Sequence, residues 1–150
     1  MANRQFQQYN YTLEKGIVHL FCRVSVAGGG AVTLQKWNPA TRTYSSAATS
    51  GTGTYAVGCQ GIKSVARTGA GAWTVTLQDS YQRLVAARFT STAASGTVTV
   101  NAMGIDATSD VTSNTAPTVK LVLAAGTTPT DPASGDKIDL HLILQNSGSL

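Results

Sequence analysis

The chain has 150 residues, only 12% of them charged, and a formal net charge of +4. That length suffices for one domain whose core needs neither disulfide nor metal, and the charge content is about half of the ~25% usual in soluble domains. With 34 Ser and Thr, 15 Gly and 42% apolar residues in patterned runs, the composition excludes a disordered chain and predicts a β-rich protein with a neutral, hydroxyl-covered surface.

Charge is unevenly spread. Residues 1–90 hold nine Lys or Arg against Glu14 and Asp79, whereas residues 91–150 hold two Lys against five Asp. The basic residues stand singly, so nucleic acid is not an expected partner; they read as solvated charge or as a surface for an acidic protein. No apolar run approaches the ~18 residues of a membrane span. The opening "MANRQFQQYNYTLEKG" has no apolar core of a signal peptide, so the expectation is a soluble chain made in a cytoplasm.

Residues 1–15 are too polar for a core and too aromatic for an idle tail. They read as an N-terminal arm lying against another surface, with Arg4, Phe6, Tyr9, Tyr11 and Lys15 as its contact residues. The sequon Asn10-Tyr11-Thr12 is discounted because no secretory signal accompanies it. Residues 16–150 then form the expected single domain.

"GIVHLFCRVSVAGGG" alternates with period two: Val18, Leu20, Cys22, Val24 and Val26 take one face, and His19, Phe21, Arg23 and Ser25 the other. Next comes an expected hairpin, with Val32 and Leu34 on one strand, Asn38-Pro39 at the turn, and Thr43 and Tyr44 on the return. Residues 45–54 read as loop. "IKSVAR" is a strand, "TGAG" a turn, and "AWTVTLQ" a strand with Trp73, Val75 and Leu77 inward. "DSYQRL" reads as a turn or one helical turn. Further strands place Val85, Ala87 and Phe89 on one face, then Val98, Val100 and Ala102, then Val119, Leu121 and Leu123. The last puts Ile138, Leu140, Leu142 and Leu144 inward, with Asp139, His141 and Gln145 outward.

About eight short strands without helical periodicity predict an all-β fold: an antiparallel β-sandwich or a jelly-roll-like barrel, with the arm attached. Such regular alternation also leaves one face of each sheet for solvent or a partner.

Chemistry finds no foothold in this pattern. His19 and His141 fall on polar strand faces without metal-ligand spacing, though a paired-strand contact between them is open. Cys22 and Cys59 lie 37 positions apart without a CxxC, and both are expected as reduced thiols. No Gly-x-Ser-x-Gly elbow occurs. The single Glu14 lies in the arm, and Asp106, Asp110, Asp131 and Asp136 sit in loops that suit Asx turns. Gly69-Ala70-Gly71 precedes a strand rather than a helix, so it is a hairpin turn and not a phosphate cradle. The expectation is a non-enzyme with no catalytic residue, cofactor or metal.

Three stretches carry a resemblance: "ANRQFQQYNYTLEKGIVHLFCRVSV", "GIKSVARTGAGAWTVTLQDSYQRL" and "DPASGDKIDLHLILQNS". Together they resemble a family of small tailed-bacteriophage virion proteins, with an N-terminal arm, a G-[IV]-x-S-[IV]-x-R-x-G-x-G-x-[WY]-T-V-T-L-x-D hairpin and a DP-x-SG ending before the last strand. The resemblance implies a decoration (cement) protein on the outer capsid surface, made in the bacterial host cytoplasm. Such a protein binds the major capsid protein as a homo-oligomer, with a trimer favoured. The arm residues Arg4, Phe6, Tyr9, Tyr11 and Lys15 would then face the shell, and Phe21 would be a subunit contact. The alternative is a head-fibre or tail-tip module that grips a host surface glycan, with Trp37 and Tyr44 as its stacking platform.

Overall fold

A computed structural model of the chain describes residues 16–28, 31–38, 40–46 and 61–146, with the side chains at 36–38, 45 and 46 outside that description. It is all-β: two antiparallel sheets packed face to face, which is a β-sandwich. The first sheet has the order β3 (Thr43–Ser46), β2 (Val32–Asn38), β1 (Ile17–Val26), β10 (Lys137–Gln145) and β6 (Arg83–Thr92). The second runs β4 (Ile62–Gly69), β5 (Ala72–Leu77), β8 (Thr118–Ala125) and β7 (Ala102–Ile105), with β9 (Thr128–Pro129) paired to β8.

The core follows from the alternation. Leu20, Cys22, Val24 and Val26 of β1 and Ile138, Leu140, Leu142 and Leu144 of β10 are buried side by side. They face Trp73, Val75 and Leu77 of β5 and Val119, Leu121 and Leu123 of β8. Each such side chain contributes about 1.5–3 kcal/mol by leaving water, so a strand with four of them is committed to one face. A slip of a single residue would turn all four outward.

Between β4 and β5, Gly69 pairs with Ala72 across a tight turn, and Gly71 has φ +65°. A Cβ at Gly71 would collide with the Leu123 carbonyl oxygen and the Thr130 amide nitrogen. Glycine is therefore demanded twice, by conformation and by space. The expected hairpin turn is present. The Asp131 carboxylate ties it down, accepting from the Gly71 amide at 3.0 Å and from Arg67 Nη2 at 2.8 Å.

Several expectations are corrected. In β6 the register shifts between Ile143 and Leu144, which pair with Ala86 and Leu84 and leave Val85 as an extra residue. This bulge reverses the alternation, so Leu84 packs on the core beside Ala87 and Phe89 while Val85 is exposed. The run 96–103 is not one strand: only its end enters β7, and Val98 is half exposed although Val100 is buried. Near this run lies Asp136, which is a fully buried carboxylate rather than a loop Asx turn. It accepts from the Ala94 amide at 2.9 Å, the Ala133 amide at 3.0 Å and the Thr99 hydroxyl at 3.3 Å. Those bonds give the backbone near residue 94 a partner other than a neighbouring strand. Gln145 is buried rather than solvated, and Arg83 Nε donates to its Oε1. "DSYQRL" contains bends and no helical turn, with Tyr81 in the core.

Candidate functional site

The outward residues of β1, β10 and β6 form registered rows across three strands. Phe21 stands opposite His141 and His141 opposite Arg88; Arg23 stands opposite Asp139 and Asp139 opposite Thr90. Inward leucines and valines fix this arrangement, since burying them forces the intervening residues onto the other face.

Phe21 is 62% exposed, the largest exposure among the described large hydrophobic side chains. Its ring stacks on His141 with centroids 4.2 Å apart and planes 17° apart. From the same strand as Phe21, His19 Nδ1 lies 2.8 Å from His141 Nε2. One ring donates a proton and the other accepts it. Burial pushes the His141 pKa down, and the positive potential of His19 and Arg88 lowers it further.

Arg23 is held from two directions. Its Nε and Nη2 donate to the two carboxylate oxygens of Asp139, each at 2.6 Å, and its guanidinium lies 4.0 Å from the centre of the Tyr44 ring. The bidentate pair raises the arginine's already high pKa further and neutralises Asp139. Beyond it, Phe21 and Arg88 border a groove of about 370 Å³ whose remaining walls include Thr90, Asp139 and His141. Arg88 makes no ion pair among the described residues.

The arrangement can grip a partner, with a pre-oriented aromatic ring and a cation on either side of one groove. Among the described residues no group of three or more His, Cys, Asp or Glu converges as a metal site. Other carboxylates are spent on structure. Asp106 and Asp110 accept from the amides and hydroxyls of Thr108 and Thr112 in successive Asx turns, which hold both pKa values down.

Of the residues singled out from the sequence, Phe21 lies on this face. Arg4, Phe6, Tyr9, Tyr11 and Lys15 lie outside the described residues, as do Cys59 and the side chain of Trp37. Arg88 and the His19–His141 contact were not part of the predicted site. The contact links residues 122 positions apart; the sequence had left a paired-strand contact between the two histidines open, because both fall on polar strand faces. Comparison with known proteins gives no match: no family model, no curated protein and no solved structure aligns with the chain.

Proposed function

We propose that this chain is a non-enzymatic virion structural protein that decorates and stabilises the outside of a tailed-phage capsid, binding the major capsid protein as a symmetric oligomer. A trimer is the favoured assembly. The observation that carries the reading is the exposed Phe21 ring, stacked on His141, beside Arg88, a cation that makes no ion pair among the described residues. Exposed aromatics flanked by arginine are the composition of protein contacts rather than of solvated surface. The phage-like sequence stretches at both ends and in the hairpin supply the class of partner. Many modest contacts repeated by capsid symmetry would add into stable attachment.

The test is co-sedimentation of the purified protein with capsids that lack it, followed by cryo-EM of the pelleted particles. Hundreds of copies at symmetry-related outer positions are the expected outcome. The alternative is a head-fibre or tail-tip module for a host glycan, supported by the exposed Tyr44 ring. It predicts a few copies at one vertex or at the tail, and that count would replace the decoration reading.

A further inference from the structure

We infer that the groove between Phe21 and Arg88 receives an extended, carboxylate-bearing segment of the partner protein. The inference rests on the docking reading above and names the chemistry of what docks. The five strands of the first sheet contain five Lys or Arg and a single acid, Asp139. Asp139 is already engaged by both of its oxygens with Arg23. Arg88 therefore meets the groove as a cation without a counter-charge among the described residues, and Lys137 lies exposed at the end of β10. A carboxylate arriving at Arg88 completes a charge-assisted pair that the fold leaves open.

Phe21 supplies the second contact. Its stack on His141 holds the ring in place before binding, so little side-chain freedom remains to be lost. Phe21, His141 and Arg88 occupy one row across three neighbouring strands, which spans about 10 Å at the usual strand spacing. An extended chain covers that distance in about three residues. The matching segment thus carries an acidic residue and an apolar residue two or three positions apart.

The probe is a capped hexapeptide, Ser-Glu-Ser-Leu-Ser-Gly, whose Glu and Leu stand two positions apart on one face of an extended chain, titrated into the full-length protein and followed by backbone amide NMR. Shifts confined to the neighbourhood of residues 21, 88 and 141 are expected. Arg88→Glu should weaken binding about tenfold or more, and Phe21→Ala should weaken it several-fold. Both positions are exposed, and a thermal melt of each variant is the check that it remains folded. Equal binding of a Gln-for-Glu peptide, shifts elsewhere, or an Arg88→Glu protein that binds like wild type would overturn the inference. So would a self-association of the wild type that Phe21→Ala abolishes, because the groove would then be a seam between copies. The capsid assay separates the two levels. Wild-type protein that coats capsids while Arg88→Glu coats them equally well sinks this inference alone. Wild-type protein that binds the peptide through the groove but never coats capsids sinks the decoration reading alone.

Discussion

The two sheets share one core and differ on their outer faces. On the first sheet the outward positions of β1, β10 and β6 include His19, Phe21, Arg23, Arg88, Asp139 and His141. On the second, the outward positions of β5 and β8 are Ala72, Thr74, Thr76, Thr118, Lys120, Val122 and Ala124, small, hydroxylated or aliphatic apart from one lysine. Lys120 is also accounted for, donating to the Thr108 hydroxyl at 3.0 Å near the Asp106 carboxylate. Folding constrains the inward half of each strand and leaves the outward half open. The two central strands of the second sheet use that freedom for small, hydroxylated or aliphatic residues, and its exposed Lys63, Arg67 and Ile105 lie on the outer strands β4 and β7. The first sheet carries rings and charges in registered rows across three neighbouring strands.

The largest effect expected comes from breaking what the two sheets share. Leu142→Ala removes a fully buried side chain of β10 directly beneath the charged face. It should cost about 2–5 kcal/mol in chemical denaturation, and a cost below about 1 kcal/mol would mean that the sheets are not packed as described. Asp136→Ala should come next, at about 1–3 kcal/mol, because it removes a fully buried acceptor shared by the Ala94 amide, the Ala133 amide and the Thr99 hydroxyl. Hydrogen exchange should then quicken at those two amides before it quickens in β10.

A smaller effect distinguishes the faces by pH. The folded protein depresses the His141 pKa below the ordinary value of 6.5, so acid protonates the unfolded chain first. Stability from this site is present above that value and is lost as pH falls through the depressed folded pKa. The groups facing His141 are His19 and Phe21 of β1 and Arg88 of β6, with Asp139 of its own strand engaged by Arg23. Melting temperature should therefore fall on acidification below neutrality, and His141→Gln should flatten that part of the profile. An unchanged slope would remove the histidine pair from the account.

Smallest of all should be the effect of Phe21→Ala on stability, within about 0.5 kcal/mol, because the ring is largely outside the core. A loss comparable to that of Leu142→Ala would reassign Phe21 to packing and dissolve the contrast between the faces.

Much of this architecture was legible before any coordinates. Period-two alternation in β1, β5, β8 and β10 identified their buried sides residue by residue, because burial acts on every second side chain of a strand. The Gly71 turn was legible because a two-residue connection between strands calls for positive φ. The bulge at Val85 was not, since an inserted residue looks like any other until its partner strand is known. The interior place of Asp136 and the grip of Asp131 on the hairpin were equally hidden, each bond joining loops far apart in the chain.

The sequence by itself determined the β class, the inward faces and the polar setting of Phe21, His19 and His141, because these depend on local periodicity and side-chain type. Only the tertiary structure decided which strands became neighbours. Pairing β1 with β10 and β10 with β6 set Phe21, His141 and Arg88 in one row and left Arg88 without an ion pair among the described residues. That row depends on register between distant segments, and register is chosen by how the buried faces of both sheets fit together.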